Sequence, residues 1–439
     1  MISTPAKSDK LGLKELIAIG VGGMVGGGIF SVLGLSISIS GHAAPLAFVI
    51  GGIIAILTGI SYASLGLRYR GDGGSFTYLE HAFNGKNIAG ISGWLLITGY
   101  IGTLALYAYT FGAYGSALLG RDAHIGTVKH LLESFILLLF LGINLYGVKA
   151  AGETEDVIVM IKVAILSLFA VIGLVYVKPQ NIFPVVNKGV GGIIMGAALI
   201  FVAYEGFELI PNAINEMQQP EKDLHRSIII SIILTTIIYF VVSLVAVGNL
   251  TPADIVKYKE YALAVVAKPF MGKAGFTLIG LAALLSTASA INATLFGTAR
   301  LGMVMAKDRA LPKVFYHRER TKNIPYISLI AITMMTIIFV NIADLTIISS
   351  FASSAFLLTF ALINLSAIKL RQEIKLTMAI PAMGFLLSTS CWLVLISFLA
   401  KTNIQSLIWI GGFNLAVVAA ELLFSQRRLI FKVVREFEA

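Results

Sequence analysis

Charge is scarce in this chain: Asp, Glu, Lys and Arg make up 13% of 439 residues, where a soluble domain carries about 25%. There is one cysteine, Cys391, and it lies inside an apolar run, so a disulfide framework and a cysteine-based metal site are both excluded. The six histidines show no HExxH or other metal-ligand spacing, and no Ser–His–Asp arrangement can be assembled. An intramembrane hydrolase is therefore unsupported. No GxxxxGK[ST] segment occurs, which removes ATP phosphate binding of the P-loop kind. No low-complexity tract and no inserted soluble domain interrupts the chain.

Apolar residues fill the space that charge leaves, at 57% of the chain with a mean hydropathy of +0.88. They fall into about twelve stretches, near 13–38, 43–67, 90–119, 131–148, 155–177, 190–214, 227–249, 275–304, 325–342, 346–368, 377–400 and 404–424. Each has the length that crosses a hydrocarbon core of about 30 Å. The runs are continuous rather than alternating, which argues against a β-barrel. The first runs past a signal-peptide core without a small-residue cleavage site, so it is read as a retained span. The polar connection 68–89 reads as a short interfacial helix, and 250–274 as an outer amphipathic lid.

The formal charge of +10 is a matter of distribution rather than a nucleic-acid footprint. With twelve spans and both termini inside, 22 of the 33 Lys and Arg fall in inner segments, 9 in outer segments and two, Lys162 and Arg300, within spans. That asymmetry is what the positive-inside rule predicts. The expectation is a multi-pass protein of the cell membrane in contact with lipid, with no nucleic-acid partner.

Two spans carry helix-breaking features at corresponding places. Span one holds Gly22, Gly23, Gly26, Gly27 and Gly28 in IGVGGMVGGGIF. Five spans later, GGIIMGAALIFVAYEGFELIPNAINE repeats a small-residue approach and a polar interruption. Glycine destabilises a helix by about 1 kcal/mol relative to alanine. Close helix packing would explain one such cluster; interruptions matched between two halves mark the substrate site of inverted-repeat transporters. Backbone groups freed by a break must face a cavity or ligand. One half-helix then offers N–H groups to a carboxylate and another offers carbonyls to an ammonium, a clamp suited to an amino acid.

Ionisable residues inside spans are the next signal. Lys162 stands in DVIVMIKVAILSLFAVIGL with five apolar residues before it and four after, a placement that costs at least about 2.5 kcal/mol. Snorkelling to the inner interface would relieve it; a buried amine is otherwise a group able to gain and lose a proton. Glu205 and Glu208 flank Gly206 in span six. Either acid could bind a proton, meet a cationic substrate or stitch helices together. Asn144, Asn364 and Glu421 read as interhelical hydrogen-bonding groups, and Arg300 as a snorkelling or paired residue.

GVGGMVGGGIF in span one, FVAYEGFELIPNAINEMQQPEKDLHRSI across span six, and STASAINATLFGTARLGMVMAKDRALPKVF in and after span eight together resemble the amino acid–polyamine–organocation permeases, over roughly residues 10–425. The resemblance implies an all-α membrane fold: a ten-helix core of two inverted five-helix repeats (11–178 and 189–370), with helices one and six broken, plus two accessory helices (377–425). It implies that Gly26, Gly27, Gly28 and Ile29 hold a substrate carboxylate, and that carbonyls near Phe201, Val202 and Tyr204 hold the amine. Tyr100 falls where relatives often place a substrate-contacting side chain. Lys162 falls where sodium-dependent relatives bind sodium, near Ser286 and Thr287 of span eight, which points to proton coupling without sodium. Acids at the position of Glu208 imply coupling or gating, and Glu205 could favour basic substrates. Gly27 stands where many members carry serine, removing one hydroxyl from the carboxylate site, and DLHRSI departs from a common proline-containing loop.

The expected function is a proton-coupled amino acid importer that alternates access and needs neither cofactor nor metal. An inorganic-cation, potassium or polyamine carrier and an amino acid exchanger are alternatives on the same fold. A membrane receptor or scaffold is the alternative without transport.

Overall fold

In the computed structural model, residues 10–71, 73–83, 86–121, 126–146, 152–317 and 324–424 are described. Of the residues counted above as inner, Lys7, Lys149, Arg318, Arg320, Lys322, Arg427, Arg428, Lys432 and Arg435 lie outside these segments.

The first apolar run is two helices, α1 (Leu13–Met24) and α2 (Gly28–Ser40). Gly41, at φ +60°, turns the chain into α3 (Ala44–Arg68). A short helix α4 (Ser75–Ala82) follows where the interfacial helix is expected, and it buries Ser75, Phe76, Tyr78 and Leu79. Next come α5 (Lys86–Leu118), α6 (Thr127–Tyr146), α7 (Gly152–Val175) and the single turn α8 (Pro179–Ile182). Helix α9 (Gly189–Leu199) gives way to 3-10 turns at Phe201–Tyr204 and Phe207–Glu216, bent by 51°. The remainder is α10 (Pro220–Asn249), α11 (Pro252–Lys257), α12 (Ala262–Lys307), α13 (Tyr326–Ile342), α14 (Leu345–Lys369), α15 (Ala379–Thr402) and α16 (Ile404–Phe424). Helix α12 is kinked at Gly272 (φ +64°), so its first turns belong to the lid after α11.

Among the described residues, nine helical stretches are long and apolar enough to cross a bilayer, and the bent pair after Gly189 makes a tenth. One of the nine, Gly28–Arg68, contains both α2 and α3. Counting these as two, and adding the 17-residue α13, gives the twelve passes the sequence predicts. Large apolar side chains are exposed along α6 (Leu131, Phe135), α7 (Val171, Val175), α15 (Leu386, Leu393) and α16 (Ile408, Leu415). Water would not tolerate such a belt; hydrocarbon does.

Helices α5 and α14 are the most enclosed, each 83% buried over its spanning window, and α3, α10 and α12 pack with them around the two breaks. Glycine permits the closest crossings. A Cβ on Gly102 of α5 would lie 2.9 Å from Ala352 of α14. Buried polar groups stitch the layers: Asn364 donates to Thr58 (2.9 Å) and accepts from Ser61 (2.7 Å), joining α14 to α3. Asn144 donates to Asn292 (2.8 Å), joining α6 to α12.

Candidate substrate and coupling site

The break in span one is a stretch of backbone whose hydrogen bonds can be followed one by one. Val21 O accepts from Val25 N and Gly23 O from Gly26 N. Gly22 O has no helical partner and is taken by Lys162 Nζ of α7 at 2.7 Å. Met24 O is taken by the Tyr239 hydroxyl of α10 at 2.6 Å. Val25 O accepts from Ser286 Oγ of α12 at 2.7 Å, and Gly26 O accepts from the same hydroxyl. Every carbonyl from 21 to 26 therefore has a donor, supplied largely by three other helices. The N–H groups that open α2, on Gly28, Ile29 and Phe30, are in the position where a helix has no partner of its own.

Span six breaks beside it. Phe201, Val202 and Tyr204 form a 3-10 turn, and Gly206 follows at φ +128°. Ser353 of α14 donates to Leu199 O (2.7 Å) and accepts from Val202 N (3.0 Å), holding the frayed end of α9. Val202 O accepts from Glu205 N (3.1 Å). The two breaks touch: a Cβ on Gly206 would lie 2.6 Å from both Gly23 C and Met24 N. Tyr239 binds them further, since its hydroxyl reaches Ala203 O (3.0 Å) as well as Met24 O.

Both acids lie buried at this junction. Glu208 Oε2 accepts from Gly206 N at 2.8 Å and Oε1 from the Tyr100 hydroxyl at 3.3 Å. Glu205 Oε2 accepts from the Tyr107 hydroxyl at 3.0 Å. Its Oε1 has no hydrogen-bond partner among the described residues.

The structure thus brings Lys162, Ser286, Gly26, Gly27, Gly28, Tyr100, Glu205 and Glu208 to one region. Thr287 is beside them but donates within its own helix, to Ala283 O at 2.7 Å. Tyr204 points away from the break, its hydroxyl donating to Phe48 O of α3. The glycines are not open to a ligand in this conformation. The Tyr107 ring lies against Gly27, and a Cβ on Gly26 would meet Ala290 at 2.8 Å and the Tyr107 hydroxyl at 3.3 Å.

Tyr107 and Tyr239 were invisible as site residues in the sequence. For Tyr107 a signal existed. Tyr100, Tyr107 and Tyr114 recur every seventh residue of α5, which places them on one face. Their hydroxyls meet Glu208, Glu205 and Phe30 O in that order.

Lys10, Arg70, Lys307 and Lys369 gather toward one end of the molecule, the basic one, where Gln218 donates to Lys10 O and Arg70 meets Glu221. There a cavity of about 570 Å³ lined by Asn212, Glu216, Thr294, Arg300 and Lys307 reaches inward to Tyr100 and Glu208. The opposite end is shut by the lid. Its Lys259 backbone presses on Gly34 of α2. Glu260 meets Lys129 Nζ at 3.7 Å and accepts from the Tyr109 hydroxyl. Lys129, placed in an outer loop by the sequence count, is buried between Glu260, Glu133 at 3.9 Å and the Tyr109 ring at 3.4 Å.

Residues 11–429 match the family described as amino acid permease. The chain is 32% identical over 398 residues to the protein MJ0609 of Methanocaldococcus jannaschii, covering 90% of this chain and 91% of that one. It is 31% identical over 426 residues to the inner membrane transport protein YbaT of Escherichia coli, covering 94% and 96%. In structure it resembles the manganese transporter of Eremococcus coleocola, with a TM-score of 0.62 over 95% of each chain at 13% identity, a likeness of fold. The architecture is the ten-helix inverted-repeat transporter core with helices one and six broken and two helices added. The chain belongs to the amino acid permease family, within the amino acid–polyamine–organocation superfamily.

Proposed function

We propose that the protein is a proton-coupled, sodium-independent amino acid importer of the cell membrane that works by alternating access. In this reading residues 11–178 and 189–370 are its two inverted repeats, 377–425 are accessory, and both termini are cytoplasmic. The basic end is then the cytoplasmic one, and the conformation is open inward and closed outward. The N–H groups of Gly28 and Ile29 at the head of α2 receive the substrate carboxylate beside Gly26 and Gly27. The turn at Phe201, Val202 and Tyr204 receives the ammonium, with Tyr100 and Glu205 at the side chain.

The observation that carries the coupling is the Lys162 bond to Gly22 O, 2.7 Å long and buried. An ammonium grips a carbonyl more strongly than a neutral amine does. A proton gained or lost at Lys162 therefore tightens or loosens the end of α1, one residue from the contact between the two breaks. Ser286 and Thr287 stand on the far side of that break, and Glu208 supplies the acid at the inner end of the cavity.

The test is uptake of pooled radiolabelled amino acids into liposomes under an imposed inward proton gradient without sodium, beside Lys162→Ala. Concentrative uptake that the variant loses is expected. Uptake driven only by sodium or by substrate on the far side would instead make the protein a symporter for sodium or an exchanger, with a structural lysine. An inorganic-cation or polyamine carrier would show no competition by amino acids. A receptor or scaffold would bind without accumulation.

A further inference from the structure

At the end opposite the basic one, well away from the two breaks, a cavity of about 670 Å³ opens between α2, α9 and α15. Its walls divide by chemistry. Ile39, Met195, Leu393 and Phe398 make it apolar, while Lys188 and Lys401 stand at its mouth, and among the described residues no acidic one lines it. The α15 wall is one helix face: positions 393, 397 and 401 repeat every fourth residue, with 394 and 398 beside them. From Leu393 to Lys401 is about 12 Å along the helix axis, so the groove descends from charge into hydrocarbon depth. Leu393 is 53% exposed, and the groove opens sideways where lipid lies.

The opposite wall begins at Gly191 and Gly192. A Cβ on Gly192 would lie 3.0 Å from Ile39 O, whereas one on Gly191 would meet nothing within 4 Å. Lys188 Nζ donates to Ser38 O at 2.7 Å, which uses one of the three donors of an ammonium and fixes its charge at the seam between α2 and α9. The start of α9 adds the positive end of a helix dipole.

Two ammonium groups above an apolar slot, with no carboxylate to answer them, fit a ligand that is anionic at one end and apolar at the other. A free phosphate would leave the slot filled with water. A zwitterionic lipid would bring its own cation to the lysines. The geometry points to a binding site for an anionic phospholipid, its phosphate at Lys188 and Lys401 and one acyl chain lying between Met195, Leu393 and Phe398. Such a lipid touches α2 and α9 together, the two half-helices whose far ends form the break.

The site is tested by native mass spectrometry of the purified full chain with phosphatidylglycerol or phosphatidylcholine of equal chain length. Two lysines at about 1 kcal/mol each predict a preference of about thirtyfold for phosphatidylglycerol. Lys188→Gln with Lys401→Gln should bring the two lipids level. Gly191→Phe should remove retention while leaving both lysines, by filling the slot. Excess inorganic phosphate should not displace the lipid. Equal retention of the two lipids by the unaltered chain, undiminished retention in either variant, or full displacement by phosphate would each overturn the proposal. Circular dichroism of both variants separates loss of the site from loss of the fold.

Discussion

Tyr239→Phe is the sharpest probe of the junction, because it removes one hydroxyl and leaves the ring. The ring packs edge-on against Phe48 (5.3 Å) and Tyr204 (5.5 Å), and phenylalanine preserves both contacts. What goes is the donor shared by Met24 O at 2.6 Å and Ala203 O at 3.0 Å. Both carbonyls belong to broken helix ends, so neither regains a helical partner. Removing the donor leaves two buried acceptors, each costing about 1–3 kcal/mol when orphaned, so the loss should be at least about 2 kcal/mol. Tyr114→Phe is the matched control. Its hydroxyl also donates to a backbone carbonyl, Phe30 O at 3.1 Å, but that carbonyl sits within α2 and keeps its helical register, so the expected loss is about 0.5–1.5 kcal/mol. Cys391, the single cysteine and a buried one, reports unfolding in detergent through its reactivity with a thiol probe over a denaturant titration. Equal midpoints for the two variants at equal slopes would refute the view that Tyr239 holds the two breaks together.

Gly206→Ala should be worse tolerated than Gly120→Ala, although both glycines have positive φ (+128° and +66°). Gly120 has open space around it and should lose about 1–2 kcal/mol. Gly206 adds collision with the Gly23–Met24 backbone to strain of about 1–3 kcal/mol, and the same thiol assay should show a markedly lower midpoint or no folded protein. At the closed end, Glu260→Gln removes the charge that faces Lys129 at 3.7 Å. In a Cys391→Ser, Lys259→Cys background it should speed labelling of the lid by a membrane-impermeant maleimide at least tenfold, the factor that about 1.4 kcal/mol of a broken buried ion pair gives. An unchanged labelling rate would mean that the pair does not hold the lid.

How much of this was legible in the sequence depends on whether a feature is local. The spans, the glycine break, the helix at Ser75–Ala82 and the intramembrane lysine are written in single stretches, where the local sequence is enough to expect each. Features made by two distant stretches were not. Tyr239 stands in the apolar run TTIIYFVVSL, indistinguishable from an interfacial tyrosine until α10 is placed beside both breaks. Gly26 and Gly27 announce a close approach, but not of what; in this conformation the answer is Tyr107 rather than open space. Lys129 stands at the start of an apolar run and reads as a loop residue. It is buried because Glu260, more than a hundred residues later, folds back over it.

The accounting at span one also explains why a lysine belongs where Lys162 is. The carbonyls of 21 to 26 are the negative end of α1, and leaving Gly22 O without a donor in a low-dielectric interior would be costly. A neutral hydroxyl would satisfy it, as Tyr239 and Ser286 satisfy its neighbours. Unlike a hydroxyl, an amine makes the strength of the bond depend on a proton. Gly22 precedes Gly23, whose backbone meets Gly206, and Glu208 caps Gly206 N. On the proposed reading, a change of charge at Lys162 is thus passed through two consecutive glycines to the acid that faces the inner cavity, with no flexible side chain intervening. The break in span one presents donors at α2 while its own acceptors are already taken. On the proposed reading a substrate ammonium therefore finds its partners in span six, and Glu205 Oε1, which has no hydrogen-bond partner among the described residues, stands within the break that would supply them.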